Sequence, residues 1–435
     1  MRLGCPFGIK RIIPHGRVLS RPASQPEGTS KPVCYELGQL YQLDREHCLL
    51  VTGMREQGGD DLNVGNDAFV FAKLPDLVPE KAIPVNRVDP AYRLRSGDGV
   101  GVQAQYPVSG AFVPLGARRE DGSPHPAAGT GFLISQGVTF LPDRSGAHPQ
   151  GDCTFDIIQL RWDGEQLEMK KGQLPETLFG MTPTGMSVTN YCACGDDFLC
   201  AFTVAGHGHA VFTFAWDGTR WWPAGCGKPF FDLASWDPAV DKPEVLSRGE
   251  TEPSLRRCGD VYYAYTRGWD PKGRLYRSKD GLAFELARTY DWPVNGASRL
   301  PTLSTPQVLN VGLDGTLYLA TNPSTGWPRN PLLAYPMVNG GLAEPLVIHD
   351  HQGIRDDHGP EAPICDHAFA ENVWLEGRWR HFCFYRLCDL IYLLKKDREK
   401  GAQPTSWTGV YLAEMEYGAM PDAPLFCNAD DQGHT

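Results

Sequence analysis

Hydrophobic residues along this 435-residue chain fall in short runs broken by polar turns, and the runs come in pairs, as antiparallel hairpins do. Long stretches with a 3.6-residue period are missing, and the one helical pattern is short, at Asp389–Lys400. The first pair of runs is YELGQLYQL and CLLVTGM, followed by a polar loop and DAFVFAKL, within Cys34–Ala82. Comparable units follow at Gly129–Gly172, Ser187–Gly225, Glu250–Tyr290, Thr302–Ile348 and Cys365–Tyr417. In most units a hairpin-type dipeptide, Asp-Gly or Glu-Gly, joins two runs.

Weakly similar units of about 40–50 residues, each able to make a small four-stranded sheet, predict an all-β, six-bladed β-propeller. A five- or seven-bladed propeller, or a two-sheet sandwich, are the alternatives this pattern leaves. The organisation expected is an N-terminal extension over residues 1–33 that closes onto the propeller, the propeller itself over 34–420, and a tail over 421–435.

Composition narrows the picture. A chain that is 41% hydrophobic has ample apolar material for a large core, and 48 Gly with 36 Pro suits a fold rich in turns. A formal charge of −11 excludes a general nucleic-acid surface. The first twenty residues lack the apolar stretch of a secretory signal, and no run of about 18 apolar residues occurs, so the expectation is a soluble cytoplasmic protein with no membrane partner. The 13 cysteines are odd in number, sit mostly inside strand-like runs, and show no paired CxxC spacing, which predicts buried thiols and no zinc ribbon.

In an antiparallel hairpin, the start of one strand and the end of the next lie at the same edge, so each blade delivers two positions to one face. Those positions are Arg55, Asp60 and Asp61 in the first unit, Arg144 in the second, and His207 and His209 in the third. The fourth supplies Glu252 and Arg267, the fifth Arg329, and the sixth Asp366, His367 and Arg386. Arginines gathered at one mouth of an acidic protein need anions, and guanidinium groups favour carboxylate or sulfate through bidentate geometry. An anionic sugar is the ligand this implies.

At these residues the chain resembles the sialidase superfamily, whose members are six-bladed propellers. Glu252-Pro253-Ser254-Leu255 opens an inner strand, and Arg267 follows fifteen residues on in YYAYTRG, matching the family's acid and its carboxylate-gripping arginine. Ser278-Lys279-Asp280-Gly281 with Phe284 is similar to the family's Asp-box hairpin, one residue short, and the segment after Asp314-Gly315 supplies Arg329 as a further arginine. Arg11-Ile12-Ile13-Pro14 echoes the family's opening Arg-Ile-Pro, and Asp60 or Asp61 stands where the family keeps its acid/base aspartate. The last blade departs from the family, carrying Asp366-His367 where the nucleophilic tyrosine belongs, with Tyr385 only at the end of the following strand.

The resemblance implies a glycoside hydrolase acting on a terminal carboxylated or sulfated sugar. Asp60, Asp61, Glu252, Asp366 and His367 are its candidates for chemistry, and Arg55, Arg267, Arg329, Arg386 and His207 for substrate binding. The residues also allow a lyase that removes a carbon-bound proton beside a uronate, with His125, His207, His209, His367 or Tyr265 as base, and a non-catalytic glycan-binding propeller on the same face. No cofactor is expected. The stretch from His349 to His367 could hold a divalent metal through His349, His351, His358 and His367 with Asp356 or Asp357, but no fixed ligand spacing favours it over a polar loop. Trp221, Trp222, Trp269, Trp292 and Trp327 are read mainly as blade core, with sugar platforms the alternative.

Overall fold

The computed structural model describes residues 8–27, 29, 32–56, 63–87, 102–105, 109–140, 153–185, 191–205, 208–230, 251–268, 272–293, 306–323, 329–338, 340–350, 364–388 and 408–418. It is a six-bladed β-propeller, all-β, with two 3-10 turns at Leu74–Asp76 and Pro79–Lys81 as the only helical elements among the described residues. The pattern at Asp389–Lys400 that suggested a helix lies outside them.

The innermost strands of successive blades are Val33–Gln42, Ser109–Val113, Tyr191–Cys194, Thr251–Cys258, Val308–Val311 and Ile364–Leu375. Each touches the next, and the last touches the first, which closes the ring. The outermost strand of the sixth blade comes from the other end of the chain: Ile9–Leu19 pairs antiparallel with Gly409–Tyr417. The second blade begins earlier than its hydrophobic runs suggest. Its inner strand Ser109–Val113 pairs with Thr130–Phe140 across a long turn, and a short strand, Val102–Gln105, links this sheet to that of the first blade.

Six apolar clusters fill the six spaces between adjacent blades. This explains the continuous apolar runs. On strand Cys48–Glu56, Leu50 and Met54 face the sixth blade while Leu49 and Val51 face the second, so both faces of the sheet are buried. The cluster between blades two and three is the most aromatic: Phe132 stacks on Phe214 at 4.8 Å and lies 5.8 Å from the fully buried Trp221.

Inner strands of different blades do not pair backbone to backbone, so polar side chains stitch them. Ser254 Oγ accepts from Leu309 N at 3.0 Å, Asn310 Oδ1 accepts from Ala370 N at 3.0 Å, and Gln42 bonds both N and O of Trp374. These groups imitate a sheet ladder across the axis and satisfy backbone groups that would otherwise be buried bare.

Removing the Phe132 ring leaves a cavity in an interface that neighbouring blades cannot collapse into without moving a sheet. Phe132→Ala is expected to cost about 3–5 kcal/mol in urea unfolding. A loss below about 1 kcal/mol would show that this interface is loosely packed.

Candidate functional site

At one end of the axis, three inner strands make the same local departure. In the first blade Glu36 pairs with Gly53 and Gly38 with Thr52, which leaves Leu37 extra. In the fourth, Thr251 pairs with Arg267 and Ser254 with Tyr265, so Glu252 and Pro253 stand opposite Thr266 alone. In the sixth, Asp366 pairs with Arg386 and Phe369 with Phe384, so His367 and Ala368 oppose Tyr385. Each bulge holds one non-glycine residue in the left-handed region: Leu37 at φ 55°, Glu252 at 50° and His367 at 51°. Such residues cost about 1–3 kcal/mol each and persist where surrounding structure enforces them.

The bulges aim acids at arginines. Asp366 has no exposed surface, and its carboxylate accepts from Arg386 Nε at 2.9 Å, from Arg386 Nη2 at 3.1 Å and from Arg329 Nη1. Arg386 gives its remaining terminal nitrogen, Nη1, to Glu36 at 3.1 Å, and Arg55 Nη1 donates to the same Glu36 oxygen at 2.9 Å. Arg267 donates to Glu252. Blades one, four, five and six thus place four arginines and three acids in one cluster. Arg386 is committed to Asp366 and Glu36 through all three of its nitrogens, whereas Arg267 and Arg329 keep 13% of their side-chain surface open.

Burial alone would raise the Asp366 carboxyl, but Arg386, His367 and Arg329 overcome it and hold it well below the usual carboxylate range. Burial lowers the Arg267 guanidinium from its ordinary value against the pull of Glu252, and the positive charge of Arg329 pushes the same way. The charge of Arg329 thus reaches Arg267.

His367 Nδ1 lies 2.9 Å from Asp366 Oδ1, and its side chain is 16% exposed. Toward a carboxylate, which can only accept, Nδ1 is the donor, and Arg386 Nη2 lies 3.3 Å from the same nitrogen. Glu252, with a third of its side chain exposed, is the most open of the three acids.

Other sequence candidates fall elsewhere. Asp60, Asp61, Arg144 and His207 lie outside the described residues, as do Trp269 and Trp327. Tyr385 turns away from the mouth because its neighbour Arg386 faces it: its hydroxyl meets His349 Nδ1 at 2.9 Å inside the cluster between blades five and six. Tyr265 is buried between blades four and five, where its hydroxyl accepts from Trp292 Nε1 at 3.1 Å. His209 has no exposed surface and packs against Phe230. His125 sits by Asp196, in the turn that ends the third blade's inner strand, at the opposite face. Trp221 and Trp292 are core, and Trp222 lies under Arg220 at 4.2 Å.

The stretch from His349 to His367 is described only at its two ends, and there His349 bonds Tyr385 while His367 bonds Asp366. Among the described residues no three His, Cys, Asp or Glu gather to hold a metal ion. The turn at Ser278 is tied by Asp280, which accepts from Ser278 Oγ, Leu282 N and Ala283 N, and Phe284 packs on Phe230.

Glu36 was not among the residues singled out from the sequence. Its one signal is to be the only charged residue in the run YELGQLYQL, since a buried acid needs a cation.

No family model and no curated protein matches this sequence. Among solved structures, Trypanosoma rangeli sialidase in complex with the inhibitor DANA aligns with a TM-score of 0.52 at 8% identity, over 93% of this chain and 59% of that one. The same enzyme in complex with sialic acid gives 0.51 at 10% identity, over 93% and 58%. This chain spans about three-fifths of the length of that sialidase. At such identities the likeness is one of fold, and the fold is the sialidase-type six-bladed propeller.

Replacing Asp366 by Asn leaves Arg329 and Arg386 without their shared anion, and a loss of about 3–5 kcal/mol is expected in urea unfolding at neutral pH. Because the folded carboxyl titrates below its unfolded value of about 3.9, its contribution is complete above that pH and disappears as pH falls through the folded value. The gap between wild type and Asp366→Asn should accordingly shrink below about pH 4. A gap constant from pH 7 to pH 3 would contradict this assignment.

Proposed function

We propose that the mouth of this propeller is the active site of a carbohydrate-active enzyme, a sialidase-like glycoside hydrolase acting on a terminal sugar that carries a carboxylate. The observation that carries the reading is the grouping of Arg267 and Arg329, from different blades, beside a histidine whose orientation a buried aspartate fixes. Arg267 and Arg329 receive the carboxylate of the sugar. Arg386 and Glu36 act behind them as positioning residues, since Arg386 is already held by Asp366 and Glu36. Asp366 likewise orients rather than reacts, because it has no exposed surface.

In hydrolysis the glycosidic carbon–oxygen bond breaks, the leaving oxygen takes a proton, and water supplies the new hydroxyl. His367 Nε2 takes the proton of the attacking water. The Glu252 carboxylate faces the ring and stabilises the positive charge that develops there. Asp60 or Asp61, which lies in sequence between strands Cys48–Glu56 and Asn63–Phe71, is assigned the proton for the leaving oxygen.

A second reading is favoured by the same Asp366–His367 pair. An imidazole oriented by a buried aspartate beside guanidinium groups is suited to removing the proton beside a uronate carboxylate, so that the leaving oxygen departs by β-elimination. Acidic oligosaccharides separate the two, since elimination alone makes an unsaturated product that absorbs in the ultraviolet.

His367→Gln is expected to lower kcat by roughly 10²–10⁴-fold on the acidic substrate while binding persists. Arg267→Ala should reduce kcat/KM for carboxylated substrates by roughly 10²-fold and leave neutral analogues nearly unchanged. Equal losses on both would remove the anion clamp. Saturable glycan binding without turnover by wild type would instead make this a binding propeller, and Glu252→Gln would then leave affinity intact.

A further inference from the structure

Arg329 belongs to no strand; it stands just before Leu332–Val338 of the fifth blade, yet it meets Asp366 of the sixth. The ladder between Leu317–Thr321 and Leu332–Val338 ends at the pair Thr321 and Leu333. Carried further, the same pairing would set Pro323 opposite Pro331, and proline has no N–H to give. The ladder stops there, and the Pro331 carbonyl needs a donor from elsewhere.

Asn322 supplies it. The residue is 1% exposed, and its Nδ2 donates to Pro331 O at 2.9 Å and to Cys365 O at 3.0 Å. Cys365 lies on the innermost strand of the sixth blade, directly before Asp366, and its N–H donates to Arg329 O at 3.0 Å. A closed ring results. It runs from Arg329 to Pro331 along the chain, from Pro331 to Cys365 through the Asn322 amide, and back to Arg329 through the Cys365 N–H. Within it, Asn330 Nδ2 donates to Asp350 Oδ1 at 2.9 Å. The ring carries Arg329 on one side and adjoins Asp366 on the other, and there the guanidinium reaches the carboxylate. Arg386 approaches the same carboxylate by a separate route, from the strand paired with that of Asp366.

We infer that Asn322 is a positioning residue of the mouth: by tying Pro331 to Cys365 it sets Arg329 against Asp366, and through Arg329 it sets the affinity for a carboxylated sugar. The second half of the inference rests on the proposed reading of the mouth. Both amide hydrogens of Asn322 are spent on backbone carbonyls, so it acts on the substrate only through Arg329.

The test uses the full chain with two variants. Asn322→Leu keeps a similar shape and has no donor, while Asn322→Ser keeps one hydroxyl for one of the two carbonyls. With an acidic sugar substrate and its neutral analogue, the ratio of kcat/KM for acid over neutral is expected to fall by about tenfold or more in Asn322→Leu and by less in Asn322→Ser. The change should come through KM. A merely structural role would lower both substrates alike and leave the ratio intact. Diffraction from ligand-free crystals of the variant gives the second readout: Arg329 should have left Asp366, while Arg386 keeps its bonds to it. If Asn322→Leu does not fold, Asn322→Ser carries both readouts. An unchanged ratio, or Arg329 still seated on Asp366, would overturn the inference. Wild type that neither binds nor turns over the acidic sugar would remove the reading of the mouth instead, and the crystals would then decide by themselves whether Asn322 places Arg329.

Discussion

A carboxylate with no exposed surface, Asp366, sits where it must be charged, and everything at the mouth is arranged around that requirement. An isolated buried carboxylate is unstable by many kcal/mol and ordinarily takes up a proton. Here Arg386, Arg329 and His367 surround it and hold it ionised. The same contacts set the site. Arg386 is fixed from both sides by Asp366 and Glu36, Arg329 is drawn in from the neighbouring blade, and the imidazole of His367 is held against Asp366. The Arg386–Glu36 bond joins residues 350 apart in sequence, so the charge cluster also ties the last blade to the first beside the ring closure made by the terminal strands.

The propeller supplies the geometry that this charge cluster needs. Hairpins stacked around an axis bring strand ends from six blades to one circle, while six apolar interfaces keep those ends from drifting. Bulges then turn selected residues inward. Leu37, Glu252 and His367 adopt backbone angles that side chains avoid, near the start of three different inner strands; Glu252 is itself an acid of the cluster, and Leu37 and His367 each directly follow one, Glu36 and Asp366. Leu37, Val308 and Phe369 form a buried apolar layer beneath the charge cluster.

Much of this was legible in the chain. Tight Asp-Gly and Glu-Gly turns marked the hairpins, and the edge rule placed Arg55, Arg267, Arg329 and Arg386 on one face, where they do meet. The second blade was misplaced because its inner strand is only five residues long and is joined by a wide turn instead of a tight one. Two features had no local signal. Which arginines are spent on the protein's own acids depends on contacts between the first and last blades, and adjacent residues of a strand face opposite ways, so Tyr385 is core while Arg386 is not. Glu36 escaped notice because an acid inside an apolar run looks like strand edge until its cation is known.

The proposed activity requires that Arg267 and Arg329 together recognise a carboxylate. The most direct measurement is calorimetric titration of the wild-type chain with an acidic sugar and with the same sugar converted to its carboxamide. Binding of the acid at least tenfold tighter than the amide, with the difference narrowing as salt is raised, is the predicted result. Equal affinity for the two would contradict it, because the guanidinium groups would then have no part in holding the ligand.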